Sequence, residues 1–356
     1  MMLMVIDHAG AAYDSHHLHG DSARGWMPGT VLPAGEFLTR WITHLCAPTF
    51  VLLAGTSLAL SSERRRNEPG QTAFIVKRGL FIAILDPTWM SFGFALFDIV
   101  IFQVLYAIGM SMVCMAFLRR LSSRTLLALA VAIQLFGECS KLVAPASQPW
   151  QGLWACLFVG GPVVRRLICA YPLMPWLSIM MVGWVLGRWI SETRDRPSRS
   201  RALPMLLVGV GLLALFAVVR GIDGYGNWDL HRDSMSALQW MHVAKYPPSL
   251  AYTALELGLA FVLFALFLGL DEGDEPALLE PLALFGSTAF FFYLLHVHIL
   301  GATMLALNHF AGLSRDTHGL LKTYVATAAI IVVLYPLCAR YRRFKSAHPD
   351  GWTRYI

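Results

Sequence analysis

Charge is what this 356-residue chain has least of. Asp, Glu, Lys and Arg make up 14 % of it, where a soluble globular chain carries roughly 25 %. That shortage argues against a water-soluble domain. Cysteine is sparse too, with six residues (Cys46, Cys114, Cys139, Cys156, Cys169, Cys338) and no C-x-x-C pair. A disulfide framework or zinc site is not indicated, and small packing residues inside helices are the expectation. No G-x-x-x-x-G-K run appears, so nothing supports ATP-driven pumping. The acidic stretch Asp271 to Glu275 lacks the spacing of a calcium loop. No repeat of fixed period and no low-complexity tract is present.

What is abundant is apolar: 56 % of the residues, with a mean hydropathy of +0.57. The apolar residues come in blocks near the ~20 residues a helix needs to cross a bilayer. In hydrocarbon every backbone polar group needs an internal partner, which leaves helices or a closed barrel. Unbroken runs such as Leu203 to Val219 lack the alternation of a barrel strand. The expectation is an all-α polytopic transmembrane bundle, one integral membrane domain over residues 1–356. It has about ten spans, near 1–9, 37–59, 79–94, 99–118, 126–143, 174–190, 203–219, 250–270, 283–305 and 324–338. Span one is short: about nine apolar residues at ~1.5 Å each do not cross ~30 Å. It has neither a charged n-region nor a cleavage site. A start further upstream would complete it.

The joints carry the orientation. Glu63-Arg64-Arg65-Arg66, then Arg119, Arg120 and Arg124, then Arg188, Arg194, Arg196, Arg199 and Arg201, then Arg340, Arg342, Arg343 and Lys345 all fall on one side if ten spans alternate. With Lys77, Arg78 and Arg354 that side holds 18 of the 28 Lys and Arg. Positive charge marks the cytoplasmic face, which makes both termini cytoplasmic and the chain a multi-pass protein of the cell membrane. The same placement explains the pI of 9.1 without nucleic acid as a partner. Loops 10–36, 144–173, 220–249 and 308–322 then face outward. Loops 144–173 and 220–249 are rich in Trp and Pro, which fits an aromatic interfacial belt or, for Trp150 to Val164, a re-entrant or cap segment.

Ionisable residues within spans are costly and are candidates for function. They are Asp7 and His8 at the end of span one, Arg40 and His44 at the start of span two, Asp86, Asp98, Glu138, Glu256, His296 and His298. Histidine as a residue type titrates near neutrality, which suits His8 to taking and returning a proton. Neighbours on a helix do not face each other, so its partner is Asp7 or a residue of another span, such as Asp86 or Arg40. Arg40 and His44, four apart, share a face, either as an anion-binding pair or with the arginine reaching outward. His296 and His298 lie on different faces, so at most one looks inward. His16, His17 and His19, with Asp14 and Asp21, form an outer cluster matching no familiar zinc spacing. Asp223, Asp229, His231, Arg232 and Asp233 make a polar outer loop.

Several stretches resemble a known family. They are Leu3-Met4-Val5-Ile6-Asp7-His8; Leu38-Thr39-Arg40-Trp41-Ile42-Thr43-His44, running into Ala47-Pro48-Thr49-Phe50-Val51-Leu52-Leu53-Ala54-Gly55-Thr56; Lys77-Arg78-Gly79-Leu80; Tyr106 to Met112; Tyr171-Pro172-Leu173-Met174-Pro175-Trp176; Lys245-Tyr246-Pro247-Pro248-Ser249-Leu250; and Phe291-Phe292-Tyr293-Leu294-Leu295-His296. Together they resemble the bacterial membrane proteins of the heparan-alpha-glucosaminide N-acetyltransferase catalytic-domain family, similar to the wider group of transmembrane acyltransferases. The resemblance implies transfer of an acetyl or other acyl group from cytoplasmic acetyl-CoA to a sugar or other polar acceptor, within membrane lipid. It implies a key histidine in or just after span one, matched by His8, with His17 the runner-up. An Arg-Gly motif usual in the first half of that span is missing here, which agrees with an upstream start. The catalytic candidates are His8, Asp7, Arg40, His44 and His296, with Arg40 or His44 polarising a carbonyl oxygen. Arg78 and Lys77, beside Arg64 to Arg66, are the candidates for the cofactor's phosphates. The rival readings are a transporter or flippase using intramembrane Asp, Arg and His as coupling residues, and a haem redox protein using His296 with His8 or His44.

Overall fold

The computed structural model describes every residue except 15, 19–20, 24–25, 66–68, 96–97, 270–278, 313–318, 349–350 and 352–356. His19, Arg66, the Asp271 to Glu275 turn and Arg354 therefore lie outside the described residues, as does part of the 308–322 joint.

Helices dominate. They are α1 (Met2–Tyr13), α2 (Ala34–Thr43), α3 (Cys46–Arg64), α4 (Gln71–Ile84), α5 (Ser91–Ala95), α6 (Val104–Leu118), α7 (Ser123–Cys139), α8 (Trp150–Trp154), α9 (Leu173–Glu192), α10 (Ser198–Ile222), α11 (Ala237–Met241), α12 (Leu250–Gly269), α13 (Glu280–Ser287), α14 (Ala289–Ala311) and α15 (Leu320–Ala347). Six runs are long and apolar enough to cross a membrane: Ala34–Arg64, Leu173–Glu192, Ser198–Ile222, Leu250–Gly269, Ala289–Phe310 and Leu320–Ala347. They do not establish the expected count of about ten, because α1, α4, α6 and α7 are each shorter than a crossing requires. Helix α1 reaches Tyr13 rather than Ala9, and α15 runs on to Ala347. The all-α expectation also needs a small correction. Strands β1 (Val100–Phe102), β2 (Gly161–Val164) and β3 (Leu167–Cys169) form a sheet in the order β1-β3-β2, parallel then antiparallel. The segment Trp150 to Val164 is short helix followed by strand.

Two prolines shape the helices around the site. Pro48 has no N–H, so the carbonyl of His44 lacks the helical donor four residues on. The Ala34–Arg64 run breaks there, and the Tyr252 hydroxyl donates to the His44 carbonyl at 3.1 Å instead. Pro87 follows Asp86 in a widened π-type turn, Asp86–Met90. Asp86 Oδ2 accepts the backbone N–H groups of Gln103 (2.8 Å) and Tyr106 (2.6 Å) at the start of α6. These are among the donors a helix leaves unsatisfied at its first turn. That explains why α6 begins at Val104 and not at Ile99, and gives Asp86 a capping task through Oδ2, while its Oδ1 is buried without a hydrogen-bond partner among the described residues.

Small residues let helices approach closely, as membrane packing favours. Helix α3 lies along α9, where a side chain at Gly183 would collide with the backbone of Leu52 and one at Gly55 with that of Met180. Thr56 Oγ1 donates to the Gly183 carbonyl at 3.0 Å across the same seam. Helix α10 packs along α12 and α4 along α6. At one end of the bundle the α6–α7 and α9 termini are tied together. Arg119 donates to Gln71 and to Thr72 (3.0 Å), and Arg188 donates to the carbonyls of Arg119 and Leu121 (2.8 Å). This is the arginine end. The sheet lies at the other, the cap end. There the Phe102 carbonyl accepts the N–H groups of Ala170 (2.9 Å) and Tyr171 (3.2 Å), which sets Tyr171 under the site.

Candidate functional site

Two histidines from opposite ends of the chain meet inside the bundle. His8 Nδ1 and His296 Nε2 are 2.7 Å apart, with the rings stacked at 13°. Their protons are set by their partners. His296 Nδ1 lies 2.8 Å from the Tyr293 carbonyl and 3.2 Å from that of Phe292. Carbonyls only accept, so Nδ1 carries the proton and Nε2 of the neutral ring accepts. His8 therefore donates through Nδ1 and keeps an unprotonated Nε2. His296 is fully buried, while His8 lines a cavity. A direct bond between the two rings leaves no room for an iron held between them.

Beside this pair sits a buried ionic cluster. Arg40 projects from α2 between two carboxylates. Its Nε donates to Asp21 Oδ2 at 2.6 Å, its Nη2 pairs with the same oxygen, and its Nη1 with Asp7 Oδ1. Thr43 Oγ1 also donates to Asp7 Oδ1, at 3.2 Å. His44 Nε2 stands 3.2 Å from Asp21 Oδ1 but off the hydrogen-bonding direction, and neither of its ring nitrogens has a hydrogen bond among the described residues. Asp21 is fixed from behind as well: its carbonyl accepts the N–H of Lys245 (2.7 Å) and Tyr246 (3.2 Å). Burial pushes the Asp21 carboxyl upward, yet the Arg40 guanidinium and the His44 ring hold it well below the usual carboxylate range. Lys245 is itself buried, its ammonium over the Tyr246 ring at 5.2 Å. The Tyr246 ring meets Tyr171 edge-on at 5.6 Å. Glu256 of α12 is 1 % exposed, and both its carboxylate oxygens lack a partner among the described residues.

Two cavities approach from opposite ends, and α14 lines both. The cleft at the arginine end, about 390 Å³, lies between α3, α4, α6, α14 and α15, and Arg78, Tyr341, Lys345, Phe50 and Tyr293 are among its lining residues. Arg78 Nε is buried without a hydrogen-bond partner among the described residues. A buried guanidinium nitrogen left open suits an incoming anion. The cavity at the cap end, about 600 Å³, lies between α1, α5 and α14 and has His8 in its wall. His296 occupies the boundary, between Tyr293 on one side and Val297 on the other.

The residues expected from sequence converge unevenly. His8, His296, Asp7, Arg40 and His44 share one centre. Arg78 lines the cleft, whereas Lys77, on the preceding position of α4, is exposed and outside it. His298 is turned away from the pair and stacks on Trp89 at 4.1 Å. His17 stands 3.6 Å from Asp7 Oδ1, packed against Gly10, where a side chain would come within 2.6 Å of its ring. Asp14 accepts the backbone N–H of His16 at 2.9 Å. Glu138 pairs with Lys141 at 3.3 Å and accepts the Gly226 N–H, a structural duty. Sequence reasoning raised Glu256 as an ionisable residue in a span and Asp21 within the outer cluster, but placed neither in this centre, and gave Lys245 no role. Two of these stand in loops that read as solvated. The only signal for Lys245 was its place in a stretch that resembles the family.

A helical membrane protein with a polar centre buried between two cavities is the class this arrangement defines. Residues 27–217 match the profile of the family described as heparan-alpha-glucosaminide N-acetyltransferase, catalytic, and the chain belongs to that family. The membership makes membrane acetyltransferase the kind of function expected, and members of the family generally use acetyl-CoA as donor. Arg40, His44 and Arg78 fall inside the matched stretch, His8 and His296 outside it. No curated protein and no solved structure matches the chain.

Proposed function

We propose that the chain is a membrane acyltransferase in which His8 Nε2 is the general base. The observation that carries this is the anchored tautomer: the Phe292 and Tyr293 carbonyls fix His296, His296 fixes His8, and an unprotonated nitrogen is left at a cavity wall. Acetyl-CoA enters the cleft at the arginine end, with its phosphates toward Arg78 and Lys345 and its thioester toward Phe50 and Tyr293. The acceptor comes from the cap end. Its hydroxyl or amine attacks the thioester carbonyl as Nε2 takes the proton. The C–S bond breaks, and the leaving thiolate recovers that proton from His8. An imidazolium at His8 keeps its Nδ1–H bond to His296, so no rearrangement accompanies the transfer. Arg40 acts as a positioning residue here, because Asp7 and Asp21 take up its guanidinium and leave it little to offer a carbonyl oxygen.

In this reading the helices make ten crossings of the cell membrane, the shorter α1, α4, α6 and α7 among them. The arginine end is cytoplasmic, which places the donor cleft where acetyl-CoA is made. The test is calorimetric binding of acetyl-CoA to purified protein in detergent, beside His8→Ala. Micromolar binding to both, with the acetyl group lost from CoA only in the unaltered protein, is the expected result. A folded sample that binds no acetyl-CoA overturns the proposal.

A further inference from the structure

We infer that the acceptor is a membrane-borne amphiphile, a lipid or lipid-linked sugar with a free hydroxyl or amine, taken from the side into the cavity between α1, α5 and α14. The inference rests on the acyltransferase reading and adds the acceptor's chemical class.

The wall of that cavity is carbon over most of its surface, from Ala11 and Ala12 of α1, Phe92 and Phe94 of α5, and Leu300 and Met304 of α14. At about 600 Å³ it is of the size that holds a small amphiphile. Polar groups stand at a few points only. His8 presents the nitrogen that His296 leaves open. His298 lines the same wall, and both its ring nitrogens are buried without a hydrogen-bond partner among the described residues. The Trp89 ring fixes it by stacking, and Trp89 is fixed in turn by its Nε1–H bond to the Leu294 carbonyl at 2.8 Å. Gly93 keeps the place open for it, since a side chain there would come within 2.7 Å of the His298 ring. Two imidazoles thus stand on one apolar wall, His8 with an open nitrogen and His298 held against Trp89 and Gly93.

A free sugar is polar on every side. Against Phe92, Leu300 and Met304 its outlying hydroxyls would lose water and gain no partner. An amphiphile meets the same wall with its chain and offers His8 and His298 one reacting group. The rim shows how it arrives: Phe92 and Leu305 are 44 % and 48 % exposed, on helices whose outer faces meet lipid in a bilayer. The route is therefore lateral, from the hydrocarbon. The reaction balances as before. The amphiphile's O–H or N–H proton goes to His8 Nε2, the new bond forms to the acyl carbon, and the CoA thiolate leaves and takes the proton.

The experiment compares decyl β-glucosaminide with free glucosamine as acceptors of radiolabelled acetyl from acetyl-CoA. The protein is reconstituted in vesicles of phosphatidylethanolamine and phosphatidylglycerol. The alkyl compound should show kcat/KM at least about tenfold higher. Filling the cavity by Ala302→Phe, or by Ala12→Leu as a second variant, should bring that ratio near one, with acetyl-CoA affinity in the same samples reporting that each variant is folded. His298→Ala should lower the ratio several-fold. A diazirine-bearing decyl glucosaminide provides a readout that needs no turnover: crosslinks should fall in residues 2–13 and 289–311, be competed by the decyl compound and not by glucosamine, and vanish in Ala302→Phe. Equal use of both acceptors with no effect of the filling variants overturns the inference and leaves the acyltransferase standing. Crosslinks at the expected segments without transfer to either acceptor retain the amphiphile site and overturn the reaction. Crosslinks elsewhere overturn the site.

Discussion

Two buried arginines invite comparison. Arg220, at the end of α10, is fully buried, and its partners are close in sequence. It donates to the carbonyls of Leu230 (2.8 Å), Gln239 (2.7 Å) and Trp240 (3.2 Å), to Asn227 Oδ1 (2.9 Å) and to Asp223 Oδ1 (3.1 Å). Every donor direction ends on the loop that follows, and none of the cavities described above reaches it. Arg40 is bound as closely, but by carboxylates from α1 and from the first loop. Around it stand groups without a hydrogen bond among the described residues: both nitrogens of His44, one of them 3.2 Å from Asp21, and both oxygens of Glu256. Arg220 fastens a loop, and Arg40 organises a centre with open valences. Burial of charge does not separate the two. The unmet polar groups beside Arg40 do.

The sharpest way to test that contrast is at the base itself. His8→Ala should lower kcat by about 10²–10⁴-fold while acetyl-CoA affinity and Tm hold. His296→Ala, which removes only the anchor, should cost about 10–100-fold. Equal losses for the two would mean that His8 is not the proton acceptor. Next comes the arginine pair. Arg220→Ala and Arg40→Ala each leave buried partners uncompensated, and each should destabilise by ~3–5 kcal/mol. Only Arg40→Ala should also lower turnover per folded molecule. If Arg220→Ala lowers it as much, the division between fastener and centre fails. Arg78→Gln should raise the KM for acetyl-CoA about tenfold with kcat unchanged, as expected for a charge-assisted bond made equally in ground and transition states. A change in kcat alone would move the donor away from the cleft.

A smaller effect concerns pH. The folded Asp21 carboxyl titrates below its unfolded value of about 3.9. Its contribution to stability is therefore complete above about pH 4 and fades as pH falls toward the lower folded value. Melting temperature should be flat from pH 8 to pH 5 and decline below about pH 4. Asp21→Asn should be less stable throughout and lose much of that acid slope. The smallest expected change is Tyr252→Phe. It removes one neutral donor from the His44 carbonyl at the Pro48 break, worth ~1 kcal/mol of stability, with no change in acetyl-CoA affinity.

How legible was this centre in the sequence? His8, Arg40, His44 and His296 stood out because ionisable side chains in apolar runs are expensive. The same signal raised Asp86 and Glu138, whose structural duties are to cap α6 and to hold the 226 loop. A price paid for burial does not say what it is paid for. The helical period separated His296 from His298 correctly, but it had no access to the Trp89 stack or to the cavity that gives His298 its place. Asp21 and Lys245 escaped because their burial depends on loops folding back over the bundle end, and no periodicity records that. The helices themselves were plain in the hydropathy. Their ends were less so, since α6 starts where a carboxylate from another helix meets it and the Ala34–Arg64 run breaks where a proline removes one donor.

The position of His296 has a consequence for the cell as an electrical compartment. On the proposed reading, α14 lines a donor cleft on one side and an acceptor cavity on the other, with the His8–His296 pair at the boundary between them. The two ligands meet beside that pair, each closing its own cavity, so the acyl group changes carriers there while solvent on the two sides stays separate. Such a catalyst exports an acyl unit without exporting its carrier and without shunting the ion gradient. A vesicle assay of ion leak should therefore stay silent while acyl transfer runs at full rate.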